Sequence, residues 1–258
     1  MKLTNITRKI WATFSSTADK RADYLWKLYL AHSNKSSEVN RYFDIGCGSG
    51  QNAIAFGQNC QSIHCLDIGE NGLTNCKAAF QAKGISKAFF IQADALALPF
   101  KDITFDRVSI ISVIEHVADQ HRAMHEISRI LKPGGELILQ VPNKYFFVDL
   151  HTGIPLLHCF PSSIKRWLLI KLGYKGLGGV MNIQVPSKTK LLNLLIQAKF
   201  SKVQVLKVIY PPELVMPQLK PVYSALNLLG LFKLVPFGFL LVADKAKANG
   251  ESLNRQSK

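Results

Sequence analysis

The feature of this sequence that most limits its fold is a run of alternating glycines after a short apolar segment. The apolar segment is interrupted by Asp44 and ends at Ile45, and glycines then occupy positions 46, 48 and 50 before a helical pattern begins. Glycine tolerates positive φ and leaves room for a ligand beside the backbone. A strand that runs through such a turn into a helix presents N–H groups to a bound molecule. The stretch therefore predicts a ligand-binding loop in an α/β fold.

The same glycines exclude one common nucleotide-binding turn. A nicotinamide-binding turn has the spacing G-x-G-x-x-G, which would place a third glycine at position 51, where this chain has Gln51. The glycine run alone does not identify the ligand, so the remaining strands and the residues at their ends must decide.

Further apolar segments alternate with helical patterns along the chain. We predict strands at 41–45, 63–66, 88–92, 105–111 and 136–141, with helices at 71–83 and 119–131 among them. Helices at 187–198 and 222–234 and strands at 202–209 and 237–242 are predicted to follow. Such alternation is typical of a doubly wound α/β sheet. Residues 5–32 predict one or two amphipathic helices, which either cover the site or pack on the sheet edge.

An acidic residue stands at the end of the second predicted strand. Asp67 follows Gly46 by 21 residues, the spacing at which a carboxylate can accept hydrogen bonds from both hydroxyls of a ribose. The alternative is that Asp67 caps the helix that follows. The first interpretation predicts a nucleoside-containing ligand.

Four segments together resemble the class I S-adenosylmethionine (SAM)-dependent methyltransferases with a core of the methyltransferase type 11 kind. They are the glycine run after Asp44, the D-A-x-x-L-P-F segment that begins at Asp94, the Glu115–His116 pair, and the L-K-P-G-G-x-L run, interpreted as a sharp turn at 132–135. The resemblance implies a Rossmann-like seven-stranded sheet with helices on both faces and the last strand antiparallel. It also implies methyltransferase activity with SAM as cofactor. The residues expected to bind it are Asp44, Gly46, Cys47, Gly48, Gly50, Asp67, Ile68, Asp94, Ala95 and Ser112.

Three histidines are candidate catalytic bases. The resemblance implies that His116 lies beside the methionine end of the cofactor, where it serves as a base or shapes the site and forms hydrogen bonds. His151 and His158 lie in a segment whose H-T-G-x-P run is similar to segments of methyltransferases of cell-surface glycans and lipid-linked sugars. Either imidazole could orient or deprotonate an acceptor hydroxyl, or both could be hydrogen-bonded within an ordered loop.

A metal site is not expected. His121 and His125 are four residues apart, but Arg122 stands where a zinc protease motif requires glutamate. The five cysteines form no C-x-x-C pair, which argues against a zinc site and a disulfide framework and suits a reducing compartment. We interpret the cysteines as core residues.

The positive charge is concentrated in the second part of the chain. Of the formal net charge of +15, residues 161–258 contribute +12. This charge either serves solubility alone or favours an anionic partner such as a membrane surface. Basic residues alternate with apolar ones in one segment, which contains Lys165, Arg166, Trp167, Leu168, Lys171, Leu172 and Lys175. The apolar stretch 222–243 suggests peripheral contact with a membrane rather than a span, because Lys233 and Pro236 interrupt it.

These patterns predict five regions and a favoured function. The regions are an N-terminal helical lid (1–40), a SAM-binding core (41–142), a substrate-side insertion (143–186), the strands and helices that complete the sheet (187–245) and a flexible tail (246–258). We expect a cytoplasmic enzyme, since no signal peptide is evident, whose acceptor is a small molecule, a glycan or a lipid-linked compound methylated at a hydroxyl. Alternatives are methylation of a quinone-like ring, methylation of RNA, which no appended RNA-binding motif supports, and a binding protein without catalysis.

Overall fold

The structure is a computed structural model of the 258-residue chain. It describes residues 16–149, 152, 154, 156–172, 182–214 and 220–247. The expected flexible tail therefore lies mostly outside the described residues.

A seven-stranded sheet forms the centre of the molecule, with strand order β3-β2-β1-β4-β5-β7-β6. Strands β1 to β5 are parallel, and β7 runs antiparallel between β5 and β6, as predicted. The strands are β1 Val39–Ile45, β2 Cys60–Asp67, β3 Ala88–Gln92, β4 Phe105–Ile111, β5 Leu131–Pro142, β6 Phe200–Val208 and β7 Gly238–Lys245. The helices are α1 Ala18–Leu30, α2 Gln51–Gly57, α3 Glu70–Ala82, α4 Gln120–Ile130, α5 Ser162–Lys171, α6 Lys188–Gln197, α7 Lys220–Leu228 and α8 Leu231–Leu234.

Each face of the sheet carries its own hydrophobic core, because successive strand residues point to opposite faces. On β1, Tyr42 packs with residues of α1, α2 and α3, whereas Phe43 packs with residues of α4 and α6. The same alternation occurs on β7, where Leu240 joins the first core and Leu241 the second. Helices thus cover both faces, as the predicted fold class requires.

A buried ion pair attaches α1 to the sheet. The Arg107 guanidinium donates to Glu136 Oε2 at 2.9 Å, and the Tyr29 hydroxyl donates to the same oxygen at 2.6 Å. Arg107 is 1% exposed, and its remaining N–H groups donate to the carbonyls of Ser36 and Ser37. These contacts hold α1 and the segment after it against β4 and β5.

Two local predictions were wrong. The segment 132–135, predicted as a sharp turn before the fifth strand, lies inside β5, because Leu131 already pairs with Phe105 of β4. The pairing is irregular there, and Gly134 has φ of +74°. The predicted helix 222–234 is two helices, since Gly230 ends the first with φ of +72°.

The cysteines only partly match their predicted role. Cys47, Cys60, Cys65 and Cys76 are buried, as predicted, but Cys159 is exposed. Within the described ranges, no helix is both long and apolar enough to cross a membrane.

Candidate active site

A cavity of about 300 Å³ lies at the carboxyl ends of the central strands. Parallel α/β sheets bind their ligands at this edge. The glycine loop forms one part of the wall, α1 a second, and the ends of β4 and β5 a third. The described lining residues are Ala18, Arg21, Leu25, Gly46, Cys47, Gly48, Ser49, Gln51, Asn52, Ile111, Ser112, Glu115, His116, Gln140, Pro142, Tyr210 and Phe237.

The shape of the loop after β1 requires glycine at two positions. At Gly46, with φ of +70°, a Cβ would lie 2.3 Å from a methyl carbon of Val113. At Gly50, with φ of +89°, a Cβ would lie 2.8 Å from the Cys76 sulfur. Any larger residue would displace its neighbours and strain the backbone. The loop is therefore packed closely against the protein behind it.

The acidic residue at the end of β2 is joined to this loop. Asp67 Oδ2 accepts a hydrogen bond from the Gly48 N–H at 2.9 Å, and Oδ1 accepts one from the Gly69 N–H at 2.8 Å. The alternative that Asp67 caps α3 is wrong, because the N-cap residue of that helix is Gly69. An ionised carboxylate offers about four acceptor sites, so Asp67 has capacity for further donors.

Asp94 and Ala95 lie on the segment that follows β3. The Asp94 side chain is exposed, and Oδ1 accepts a hydrogen bond from the Leu96 N–H at 2.9 Å. Ala95 is 8% exposed and packs in the second core. Neither residue lines the cavity, and their contact with the cofactor remains a prediction.

Asp44 lies behind the glycine loop and outside the cavity wall. It is 2% exposed, and Ser109 Oγ donates a hydrogen bond to Oδ1. The Ser109 hydroxyl is also hydrogen-bonded to the Tyr42 hydroxyl at 2.6 Å. Burial raises the pKa of Asp44 to about 7, although the hydrogen bond from Ser109 lowers it. The contact of Asp44 with a cofactor remains a prediction.

The end of β4 has an unusual backbone conformation at the cavity wall. Ser112 has φ of +55°, which is uncommon for a residue with a side chain. Its N–H donates to the Gln140 carbonyl at 3.0 Å, and its Oγ donates to Gln140 Oε1 at 2.5 Å. Backbone strain of this kind occurs often at functional sites. These contacts fix the two strand ends against each other where both line the cavity.

The three candidate histidines have different positions. His116 ends the short 3₁₀ helix Ile114–His116, is exposed and lines the cavity. His158 lies outside the cavity lining, with Nε2 2.7 Å from Asp149 Oδ1. Thr152 donates to the other Asp149 oxygen from its N–H and its hydroxyl, which matches the alternative of an ordered loop. His151 lies outside the described residues.

Sequence reasoning missed several residues of the cavity wall, among them Arg21, Gln140, Tyr210 and Phe237. Arg21 brings a guanidinium to the cavity from α1, and burial lowers its pKa, while Tyr210 raises it by less. Of these residues, only Gln140 could have been recognised from the sequence, because it is a polar residue near the carboxyl end of an apolar strand.

The loop and its surroundings fit an adenosyl cofactor. Above Gly48 the space is open, since a Cβ built there meets no atom within 4 Å. The Asp67 carboxylate can accept hydrogen bonds from ribose hydroxyls. Beside it, the Ile68 side chain is 69% exposed and presents an apolar surface on which an adenine ring could pack. The glycine loop, the carboxylate and the apolar surface lie at one sheet edge.

The comparisons with known proteins agree with this geometry. Residues 43–139 match the methyltransferase domain family. The chain is 32% identical over 100 residues to the uncharacterized methyltransferase YcgJ of Bacillus subtilis, a match that covers 39% of this chain and 40% of that protein. It is 28% identical over 220 residues to the ubiquinone/menaquinone biosynthesis C-methyltransferase UbiE of Blochmanniella pennsylvanica, covering 79% of this chain and 85% of that protein.

A solved structure shows the same fold in the presence of the cofactor. Phosphoethanolamine N-methyltransferase 2 of Haemonchus contortus, in complex with S-adenosyl-L-methionine, matches with a TM-score of 0.59 and 14% identity, covering 86% of this chain and 52% of that chain. In three of the curated relatives, the part that this chain matches is 40 to 54% of the relative's length, which is about half. Residues 43–139 thus match the methyltransferase domain family, and the seven-stranded sheet with β7 antiparallel agrees with the class I SAM-dependent fold that the sequence resemblance implies.

Proposed function

We propose that this protein is a SAM-dependent methyltransferase that methylates a hydroxyl of a small-molecule, glycan or lipid-linked acceptor. The observation that carries the proposal is that His116 and the glycine loop line the same cavity. A group that can accept a proton and the loop expected to bind the cofactor thus lie on the wall of one cavity.

When bound, SAM supplies a methyl group on a positively charged sulfonium. An acceptor nucleophile would attack that methyl carbon, and the sulfur would leave as a neutral thioether. The main task of the chain is to hold the nucleophile close to that methyl group and aligned with it. Ser112 and Gln140, which are hydrogen-bonded to each other, set the shape of the cavity wall. His116 would take the proton of the acceptor hydroxyl as the new bond forms. Arg21 places a positive charge at the cavity, which favours an acceptor with an anionic group.

A second candidate function is carbon methylation of a quinone-like ring. The match to UbiE favours it, because that match covers 79% of this chain and so extends beyond the shared methyltransferase core. The apolar part of the cavity wall, with Leu25, Ile111 and Phe237, suits a lipophilic ring. An activated ring carbon can attack without a histidine base, so the two candidates differ in their need for His116.

The experiment is a transfer assay with SAM carrying a carbon-13 or tritium label in its methyl group. The purified chain is incubated with host lysate, which is then separated into organic, polysaccharide and RNA fractions. Label in the organic or polysaccharide fraction supports the proposal, and the carbon-13 shift of the product distinguishes a methyl group on oxygen from one on carbon. Label in RNA, or no transfer by a chain that binds SAM, would refute it.

We further propose that the protein contacts an anionic membrane surface through α7 and α8. Leu228, Leu229 and Leu234 are 89%, 80% and 78% exposed, and the exposed Lys233 lies among them. Apolar side chains beside basic ones suit insertion at an anionic lipid surface. Such a contact would bring the site to a lipid-linked acceptor.

The basic segment of α5 supports membrane contact less completely than its sequence indicates. Arg166 and Lys171 are exposed beside Trp167, which is 60% exposed. Lys165, however, is buried and donates a hydrogen bond to the Ile183 carbonyl at 2.5 Å. It therefore stabilises the fold and does not belong to the basic surface, while Lys175 lies outside the described residues.

A further inference from the structure

Three cysteines that are far apart in the sequence meet behind the glycine loop. Cys47 lies in the loop itself, Cys65 on β2 and Cys76 on α3, and their sulfur atoms all lie within 4.8 Å of one another. The three are 5%, 0% and 0% exposed. Cys60 is buried in the same hydrophobic core but does not belong to this group. The chain therefore holds a compact, buried group of three thiols.

The dimensions of this group match those of a three-sulfur metal site. Metal–sulfur bonds are about 2.3 Å long, so three sulfurs around a central ion lie roughly 4 Å apart. The observed limit of 4.8 Å between any two sulfurs requires each to move by less than 1 Å. Cys47 is on a loop, and this position allows such an adjustment more readily than a strand does. The sulfurs are thus almost in position before an ion is present.

The ligand set selects the kind of ion. A structural zinc site has four protein ligands, and among the described residues no fourth histidine, cysteine or carboxylate belongs to this group. Iron–sulfur clusters likewise take four cysteines. Soft sulfur ligands in an apolar setting favour Cu(I), which does not require a fourth ligand.

We propose that Cys47, Cys65 and Cys76 form a three-sulfur site for Cu(I) that is coupled to the glycine loop. Each Cu(I) that binds forms three copper–sulfur bonds, and the three thiols release their protons to solvent because cysteine binds metals as the thiolate. Because Cys47 stands between Gly46 and Gly48, copper binding displaces the loop that forms the cavity wall. The site goes beyond the proposed methyl transfer and does not depend on it.

The test is an anaerobic titration of the reduced full-length protein with Cu(I) in competition with bicinchoninate. We expect one tightly bound Cu(I) per chain. Cys65→Ala should weaken its binding by at least roughly 100-fold, since a direct ligand is lost. Two matched controls, Cys60→Ala at a buried site and Cys159→Ala at an exposed one, should bind as tightly as the wild type. Equal affinity in Cys65→Ala, or an equal loss in Cys60→Ala, would overturn the proposal.

Copper X-ray absorption of the wild-type protein tests the site without relying on any variant. Three sulfur neighbours support it, and two sulfurs or a nitrogen neighbour contradict it. The coupling is tested by calorimetric measurement of S-adenosylhomocysteine binding with and without Cu(I). We expect the copper-loaded wild type to bind S-adenosylhomocysteine more weakly, and Cu(I) to have no effect on this binding in Cys65→Ala. If Cu(I) leaves the binding by the wild type unchanged, the coupling is overturned. None of these readouts requires methyl transfer, so failure of the proposed function leaves them interpretable.

Discussion

Asp67 and Gly48 are joined by a hydrogen bond of 2.9 Å from the glycine N–H to the carboxylate. This contact connects the end of β2 to the loop after β1, two elements that parallel pairing already places side by side. The carboxylate therefore shapes the loop and can also accept hydrogen bonds from a ribose. Both roles predict weaker cofactor binding when the carboxylate is removed.

Asp67→Ala should reduce the affinity for SAM. Loss of a hydrogen bond to a charged group costs about 1.5–3 kcal/mol, or roughly 10- to 150-fold in Kd, measurable by calorimetry. Asp102→Asn, which changes an exposed carboxylate before β4, should have no effect. Unchanged SAM affinity in Asp67→Ala would refute the ribose role. A loss that is equal for a 2′-deoxy analogue would assign the effect to the loop alone.

The buried carboxyl of Asp44 should make stability depend on pH. Burial raises its pKa from 3.8 to about 7, while Ser109 lowers it and the nearby Cys76 and Asp67 raise it further. The folded protein thus keeps this proton to a higher pH than the unfolded chain does. The stabilisation is fully present below about pH 4 and is lost as the pH rises through about 7.

Asp44→Asn isolates this contribution, because the amide does not titrate. Between pH 5 and pH 8, the free energy of unfolding of the wild type should fall relative to that of the variant by about 2–3 kcal/mol. Urea unfolding at the two pH values measures the difference. A difference that is constant with pH would show that Asp44 is ionised in the folded protein throughout.

Glu136→Gln should destabilise the fold far more than the loss of a surface ion pair. The substitution leaves the Arg107 guanidinium, 1% exposed, without its carboxylate and weakens the contact to Tyr29. Breaking a buried pair in this way costs about 3–5 kcal/mol. Asp19→Asn, which removes an exposed pair with Lys83 at 3.6 Å, should cost under about 1 kcal/mol. Similar losses in both variants would contradict the anchoring role of Glu136.

Local patterns were enough to predict most of the parallel core. Strands β3 and β4 have the predicted bounds, and α4 begins after Asp119, whose side chain accepts a hydrogen bond from the Arg122 N–H. Such elements follow from short-range periodicity and caps. The error at 132–135 arose because proline and glycine favour a turn locally, whereas pairing of Leu131 with Phe105 extends the strand.

The remaining features depend on contacts between distant parts of the chain. The bond from Tyr29 to Glu136 joins residues 107 positions apart, and the three-thiol group joins a loop, a strand and a helix. Arg21 and Tyr210 reach the cavity from opposite ends of the chain. Local propensity and spacing do not predict such long-range contacts, because these contacts follow from the packing of the completed sheet.

His116→Gln should slow methyl transfer if the acceptor atom is oxygen. Loss of a positioned base typically lowers the rate by about 10²–10⁴-fold and removes the dependence of kcat/KM on pH that the base imposes. SAM affinity, measured separately, should be unchanged within about twofold. His121→Gln, on the exposed face of α4, serves as the matched control. An unaffected rate in His116→Gln would favour the quinone-like carbon acceptor.

The exposed leucines of α7, α8 and the turn between them should determine membrane binding. Vesicles of phosphatidylcholine and phosphatidylserine should sediment the wild-type protein. The double variant Leu228→Ser/Leu229→Ser should bind roughly tenfold or more weakly, because two apolar side chains are no longer transferred from water into the lipid surface. Leu30→Ser, at a side chain 42% exposed on α1, is the matched control and should bind normally. Added salt should weaken the wild type, because the basic residues are screened. Equal sedimentation of the double variant and the wild type would show that this surface does not contact lipid.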